Sequence, residues 1–247
     1  MIRVGRCTYD RNGNRTDPTY PGFTSILVLM RSHSEWGCLG PYELVDQNGI
    51  IFENYYQASK VYPSVPETTQ RYSRWNNQII WQHPAEIHYQ NDQFLPAYWT
   101  WRHKLMHNRF AVRYPVGFNY RSQCLFAVEQ DKPDRKLDYI ESRMKIYLKK
   151  YCELVRCVPK FTTLQQRLNR GENLLIIEVD GPRIESLPYY KSTYNVSDDF
   201  IENNTMLATE ENLHLMLLDN KHPFGHGYCL AIALLEFDYL GELDLDD

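Results

Sequence analysis

The sequence lacks the motifs that mark several common enzyme classes. It contains no G-x-x-x-x-G-K-[ST], no G-x-G-x-x-G after a predicted strand and no G-x-S-x-G. The first pattern binds the phosphates of nucleoside triphosphates, and the second binds the phosphates of dinucleotides. The third presents a nucleophilic serine. Their absence excludes the usual P-loop, Rossmann and serine hydrolase interpretations.

Long apolar runs and an excess of basic charge are also missing. The longest uninterrupted apolar run is Tyr228 to Leu235, much shorter than the ~20 residues of a membrane span. The first 17 residues are polar and do not resemble a signal peptide. The net charge is −4, and four acidic residues fall within the last six. We therefore expect a cytoplasmic protein without a membrane partner, for which nucleic acid is a disfavoured partner.

The cysteine pattern favours free thiols. The chain has six cysteines without a C-x-x-C pair, and their irregular spacing is typical of reduced, mostly buried thiols. Aromatic residues are plentiful, with Tyr 19, Phe 10 and Trp 5. They suit a packed core or a pocket that stacks planar ligands, and composition does not choose between the two.

Apolar periodicity predicts an α+β fold, mainly helical, with a small sheet and a central apolar C-terminal helix. No repeat or flexible linker divides the chain, so we expect one domain over residues 1–247. The predicted elements are a strand at Phe23–Met30, a hairpin around Gln47–Gly49, a helix at Glu53–Tyr62, helical segments at 66–82 and 96–113, a helix at 134–156, a capping box at Thr162 and Gln165, a strand at Leu174–Val179, a mobile loop at 183–204, and helices near 209–218 and 228–240.

The first segment that predicts chemistry is residues 52–61. Glu53 stands at the predicted junction of strand and helix, where first-turn amides favour a carboxylate. Gln57 shares its face, and Lys60 is within reach of both. Next to Tyr55 and Tyr56, these groups suit a polar ligand that contains a ring. The alternative is an ordinary amphipathic helix with an acidic first turn.

The second segment is residues 98–113. Trp99, Arg102, Met106 and Arg109 recur at three- and four-residue spacings, which aligns rings with guanidinium groups. Guanidinium groups bind phosphate oxygens, and rings stack on bases.

The third segment is 222–227, where two glycines precede a predicted helix. Such glycines allow backbone amides to approach a phosphate, or they simply begin a helix.

No metal site is predicted from the sequence. His103 and His107 are four residues apart, as a helical ligand pair would be, but no Glu follows His103 as in H-E-x-x-H. Packed or solvent-facing imidazoles are the preferred interpretation. We therefore expect neither a metal nor a cofactor.

The run from Leu39 to Tyr62, LGPYELVDQNGIIFENYYQASKVY, resembles the opening motif of the NADAR family, the NAD- and ADP-ribose-associated domains related to swarming motility proteins. That motif is a hairpin with an Asp/Asn-Gly turn followed by Thr/Ser-Glu-His-Tyr-Phe-Gln-Ala-x-Lys-Phe. Glu, an aromatic pair, Gln, Ala and Lys match in register at Glu53, Tyr55, Tyr56, Gln57, Ala58 and Lys60. Asn54 stands where the family has His.

Later segments resemble the family in the same order. Residues 101–106 are similar to its Trp-x-x-x-Lys-x-x-Met helix with altered spacing, and residues 160–178 to its Lys-Phe helix and following strand. Gly225–Gly227 occupies the place of its Gly-rich loop, but the loop differs and its Asn is absent. Segments near 112–156 and 183–204 look like additions to a shorter domain.

The resemblance implies an N-glycosidase, an enzyme that hydrolyses the bond between a base nitrogen and C1′ of a phosphorylated ribose. The implied substrates are ribosylamino-pyrimidines or ADP-ribosylated guanine, and no cofactor is needed. Catalysis is expected from Glu53 and Asp180, with Asp219 also considered as a second carboxylate; the alternative for both aspartates is an ordinary structural place in a turn or at a helix end. The substrate-binding residues would be Asn54, Tyr55, Gln57, Lys60, Trp99, Arg102, Lys104, Gly225, His226 and Gly227.

Two other functions stay open. One is a non-catalytic module that binds ADP-ribose or a nucleotide, which the altered glycine loop favours. The other is an enzyme that modifies bases in nucleic acid, which Arg102, Arg109, Arg113 and Arg121 among aromatic residues would support. The absence of a basic excess counts against the latter.

Overall fold

The computed structural model describes residues 1–29 and 34–239. They form an α+β structure with 36% helix and 20% strand. The end of the predicted first strand, Met30, and the acidic last six residues lie outside the described residues.

Fourteen short strands and eight α-helices are present in this part of the chain. The strands are β1 (Ile2–Arg6), β2 (Thr8–Tyr9), β3 (Arg15–Thr16), β4 (Thr24–Leu27), β5 (Lys60–Val61), β6 (Ser64–Val65), β7 (Thr68–Arg71), β8 (Ile79–His83), β9 (Glu86–Ile87), β10 (Tyr89–Gln90), β11 (Gln93–Phe94), β12 (Phe126–Ala127), β13 (Leu174–Glu178) and β14 (Thr205–Leu207). The helices are α1 (Phe52–Ala58), α2 (Pro96–Met106), α3 (Tyr139–Ser142), α4 (Lys149–Val155), α5 (Pro159–Asn169), α6 (Leu187–Tyr194), α7 (Glu210–Leu218) and α8 (His226–Leu235).

The chain divides into two compact units. Unit 1 comprises Met1–Gly40 and Tyr151–Asp247, and unit 2 comprises Pro41–Lys150. Neither boundary shows a linker-like composition, because both fall in ordinary mixed sequence. The expectation of one domain with additions near 112–156 and 183–204 stays a prediction.

Unit 1 contains a mixed four-stranded sheet in the order β14-β1-β13-β4. The central strand β13 runs parallel to both β1 and β4, while β14 is antiparallel to β1. All five residues of β13 are buried, which explains its continuous apolar sequence. Helix α8 packs against β1 and β13 and is buried from its first residue to Leu234. The predicted strand at 174–179 and the apolar last helix are therefore present.

Unit 2 is built from α1 and α2, which pack together, and from several two-stranded ladders. Its core is strongly aromatic. The fully or almost fully buried rings in this core are Tyr62, Trp81, Tyr98 and Trp101. The Asn-Gly turn occurs where predicted, with Gly49 at φ +77° and one bridge between Val45 and Ile51. It directs the chain into α1.

The predicted helix from Glu53 to Tyr62 is too long. Helix α1 ends at Ala58, and Lys60 and Val61 pair with Ala127 and Phe126 in an antiparallel ladder. Burial of Val61 and Tyr62 in the core of unit 2 outweighs the helical pattern. The helix predicted at 66–82 is wrong, because Thr68–Arg71 and Ile79–His83 form a hairpin, and each strand begins with two β-branched residues.

Other boundaries also differ from the sequence prediction. The segment 96–113 is helical only as far as Met106, although Pro96 does occupy the first turn. The segment 183–204 is not a continuous loop, because α6 lies within it and buries Tyr190. The helix predicted from residue 134 begins at Tyr139 and passes through a π-helical segment, Arg143–Leu148, before α4. The last helix ends at Leu235, earlier than expected.

The predicted capping box is on the wrong helix. Thr162 lies inside α5, which begins at Pro159. The capping box in the structure precedes α3, where the Asp138 carboxylate accepts from the Glu141 amide at 2.8 Å and Glu141 accepts from the Asp138 amide at 2.9 Å. The same spacing occurs at both places, and only the helix start distinguishes them.

Asp138→Ala is therefore expected to lower the free energy of unfolding by about 1 kcal/mol, because the Glu141 amide in the first turn loses its partner. Thr162→Ala is the matched control, since this exposed residue lies within α5; its effect should stay within about 0.5 kcal/mol. Urea denaturation measures both values. Equal losses for the two variants would contradict this assignment of the cap.

Candidate functional site

Glu53 lies in the first turn of α1, as predicted, and is buried. Its side chain is 5% exposed, and its backbone amide donates to the Pro41 carbonyl at 3.0 Å. The turn at Gly49 and the helix start therefore hold this carboxylate in place. A buried carboxylate requires polar partners, because an uncompensated charge in the interior is costly.

Gln57 and Lys60 provide a hydrogen-bonded chain to Glu53. The Gln57 side-chain Nε2 donates to Glu53 Oε1 at 2.9 Å, and Lys60 Nζ donates to Gln57 Oε1 at 3.0 Å. The amide orientation is fixed, because its N–H faces a carboxylate and its oxygen faces an ammonium group. The structure thus brings together the three residues that the sequence predicted to act together, although Lys60 belongs to a strand.

Aromatic rings and a second cation, Arg143, lie around this hydrogen-bonded series of side chains. Lys60 Nζ lies 4.3 Å from the centroid of the Tyr56 ring, and Tyr56 contacts Tyr147 at a centroid distance of 4.7 Å. Burial lowers the pKa of Lys60, an effect that Glu53 partly opposes. Burial also raises the pKa of Tyr56, and Arg143 opposes this increase. The site is therefore a ring-lined, largely buried environment for one carboxylate and two cations.

Asn54 has a structural role in unit 2. It is fully buried, and its Nδ2 donates to the carbonyls of Asn108 and Phe110. Its Oδ1 accepts from the Val112 amide at 2.8 Å. Both N–H groups of the side chain are therefore already used to hold the segment that follows α2.

The residues predicted on α2 do not share one face. Arg102 is 6% exposed and donates to the carbonyl of Glu129 at 3.2 Å. Trp99 is 40% exposed, and its ring lies 5.7 Å from the Arg102 guanidinium carbon. Lys104 is exposed and donates to the Gln82 carbonyl at 2.6 Å. Trp99 and Arg102 are therefore neighbours at cation–π distance, whereas Lys104 contacts a different segment of the chain.

In unit 1, Gly225 and Gly227 pack against a buried carboxylate. A Cβ atom added to either glycine would overlap the side chain of Glu178, which is the last residue of β13 and fully buried. The φ of Gly225 is −94°, so its backbone conformation does not itself require glycine. The glycines make room for Glu178, and their predicted contact with phosphate stays a prediction.

His226 links this carboxylate to the sheet. Its Nε2 donates to the carbonyl of Val28, and its Nδ1 lies 3.2 Å from Glu178 Oε2. The His226 imidazole therefore lies between the Glu178 carboxylate and the Val28 carbonyl inside unit 1.

A separate basic pocket of about 290 Å³ opens in unit 1. The cationic or potentially cationic side chains that line it are Arg6, Arg183, Lys221 and His222. Burial, followed by the charge of Arg183, lowers the pKa of Arg6, while Asp180 opposes this change. The predicted carboxylate Asp180 therefore acts electrostatically on Arg6, which lines a pocket with an excess of positive charge.

Asp219 contacts three of the residues that line this pocket. It is fully buried and accepts from Tyr189, Tyr190 and the Lys221 amide at 2.8–3.0 Å. His222 Nδ1 lies 2.7 Å from the same carboxylate. Burial alone would raise the pKa of Asp219, but these hydrogen bonds outweigh it and lower the pKa. Its position supports a role in orienting His222 and Tyr190.

A cluster of metal-ligand type occurs in unit 2, away from the predicted residues. Within residues 1–29 and 34–239, His83, Glu86 and His88 form the group in which three donor atoms lie within 4.8 Å of one another. Burial lowers the pKa of His88 to about 4, so this imidazole is neutral at neutral pH. His103 and His107 have ring centroids 4.3 Å apart, but both are exposed.

Comparisons with protein-family models, curated proteins and solved structures gave no match. The likeness to the NADAR family therefore rests on the sequence motifs alone.

Within the described residues, no helix is both long and apolar enough to cross a membrane.

The sequence analysis missed several of these groups. Glu178 was concealed because it stands inside the apolar run 174–179, and Arg143 lies in a π-helical segment that interrupts the periodic pattern. Arg6 and Arg183 are far apart along the chain, and the fold brings both to the lining of one pocket. His83 and His88 did carry a signal, because His-x-x-Glu-x-His places three potential metal ligands within six residues.

Gly225→Ala is expected to destabilise the protein by about 1–3 kcal/mol, because the new methyl group overlaps Glu178. In a Glu178→Ala background the same substitution should cost much less, giving a double-mutant coupling above about 0.5 kcal/mol. Chemical denaturation of the four proteins provides the cycle. An equal cost in both backgrounds would show that this carboxylate is not what requires glycine.

Proposed function

We propose that this protein is an N-glycosidase that cleaves the bond between a base and C1′ of a phosphorylated ribose. The observation that carries the proposal is the buried Glu53 carboxylate, bound through Gln57 to Lys60 and surrounded by aromatic rings. The same residues carry the likeness to the NADAR family. ADP-ribosylated guanine and ribosylamino-pyrimidines are the proposed substrate classes.

The chemistry needs a negative group close to the ribose. As the C1′–N bond breaks, its electron pair leaves with the base and positive charge develops on the sugar. A carboxylate in a dry site stabilises this charge more strongly than one in water. Glu53 would also accept a proton from the water that attacks C1′; the water oxygen then forms the new bond to C1′, and the proton passes to the nitrogen of the released base, which restores the carboxylate. Gln57 holds one Glu53 oxygen and thereby fixes the direction of the carboxylate.

The remaining roles follow from chemical type. Trp99 offers a half-exposed ring on which a base can stack, and Arg102 beside it supplies a positive charge. Tyr55 is the second candidate for stacking. The contributions of Asp180, Asn54, Lys104 and the 225–227 segment to substrate binding stay predictions.

Glu53→Gln is expected to lower the rate of base release at least about 100-fold, because the amide cannot stabilise positive charge or accept a proton. Affinity for the substrate should change little, since the shape of the site is kept. Mass spectrometry of free base and ribose phosphate, after incubation with both proposed substrate classes and NAD, measures the rate.

Glu43→Gln is the matched control, because Glu43 is exposed and lies in the same unit. It should retain the parent activity. Circular dichroism and melting temperature would establish that both variants fold. Base release that survives in Glu53→Gln, or an absence of release in the parent protein, would contradict the proposed reaction.

The second candidate function is binding of a phosphorylated nucleotide without turnover. The basic pocket of unit 1 favours it, because Arg6, Arg183 and Lys221 line one cavity. The buried hydroxyl of Tyr228 has no hydrogen-bond partner among the described residues and interacts electrostatically with Arg6. Guanidinium groups arranged in this way suit phosphate oxygens.

Under this second function, Arg183→Ala should weaken the binding of ADP-ribose by about 10- to 100-fold, the loss of a charged hydrogen bond. Arg170→Ala, which removes an exposed arginine from the same unit, should leave affinity unchanged. Isothermal titration calorimetry measures both. Equal affinities for the two variants would exclude this pocket as the phosphate site.

A further inference from the structure

We propose that His83, Glu86 and His88 form a binding site for a divalent metal ion of the Zn²⁺ type. The three residues lie within six positions at the turn that joins β8 to β9 and β10, all in unit 2. Two imidazoles and one carboxylate are a ligand set that Zn²⁺ takes in proteins, with a fourth position open to water. This site is separate from Glu53 and from the basic pocket.

The distances suit one shared ion. Glu86 Oε2 lies 2.8 Å from His83 Nε2 and 3.6 Å from His88 Nε2. Ligand atoms bound to one tetrahedral Zn²⁺ lie roughly 3.3 Å apart, as follows from metal–ligand distances near 2.0–2.1 Å. The two observed separations fall on either side of this value.

Burial supplies a second, independent observation. His88 is fully buried, and neither of its ring nitrogens has a hydrogen-bond partner among the described residues. The 3.6 Å separation from Glu86 is beyond hydrogen-bond distance. Buried polar atoms are almost always satisfied, so an orphaned imidazole needs an explanation. A metal ion bound at Nε2 provides one.

The surroundings fix the two rings and leave access at the carboxylate. His83 stacks on Trp81 at a centroid distance of 5.7 Å, and His88 lies 5.1 Å from the Trp101 ring. Glu86 is 29% exposed, which allows an ion and one water molecule to enter from its side. The two imidazoles therefore approach from the core and the carboxylate from the surface.

The test uses the full chain treated with EDTA and then dialysed against Zn²⁺. A Cys157→Ser background removes the exposed thiol, which is a competing zinc ligand. Elemental analysis should find one Zn²⁺ per chain, and Zn²⁺ should raise the melting temperature. Co²⁺ in place of Zn²⁺ should give the visible absorption of a four-coordinate ion.

Glu86→Gln keeps the shape of the site and is expected to weaken Zn²⁺ affinity at least about tenfold, as should His83→Gln. The matched control is the double substitution of His103 and His107 by Ala, which removes an exposed histidine pair and should leave one Zn²⁺ bound. Circular dichroism without metal establishes folding of each variant. Absence of Zn²⁺ from the parent protein, or its loss only in the control, would overturn the proposal.

Discussion

The pairing of Lys60–Val61 with Phe126–Ala127 is the constraint on which the candidate site in unit 2 depends. It ends α1 one turn early and places Val61 in the core. Lys60 then leaves the helix, yet its ammonium group still lies 3.0 Å from Gln57. Had α1 continued, Val61 would have lost its burial. This two-residue ladder thus sets both the packing of unit 2 and the position of the Lys60 ammonium group, which is hydrogen-bonded through Gln57 to Glu53.

Buried carboxylates organise unit 1 in a comparable way. Glu178 and Asp219 are both fully buried, and each is compensated by a histidine within 3.2 Å or less. Removing such charges from water is costly, so each carboxylate fixes its neighbours to recover the lost hydration. For Glu178 the neighbours are two glycines and His226, which explains the small residues at the start of α8. For Asp219 they are the tyrosines and His222 that shape the basic pocket.

The sequence correctly predicted the elements whose formation depends mainly on one local signal. The buried strand β13, the Asn-Gly turn and the helix that begins after Thr209 all occur where expected. Within the site, the spacing of Glu53 and Gln57 correctly placed both on one helical face. The failures share a different cause. The early end of α1 depends on pairing with residues 126–127, the β7–β8 hairpin depends on pairing between its two strands, and α6 buries Tyr190. Helix propensity alone cannot weigh these contacts.

By itself the sequence determined which residues are chemically equipped, and it placed Glu53 and Gln57 on one face of a helix. Only the tertiary structure decided which polar groups are buried, and therefore which need partners. It assigned Asn54 to three backbone hydrogen bonds and the glycines before α8 to the space around Glu178. It also brought Arg6 and Arg183 to one pocket. The reason is physical, because desolvation and charge compensation are properties of the folded environment and not of residue spacing.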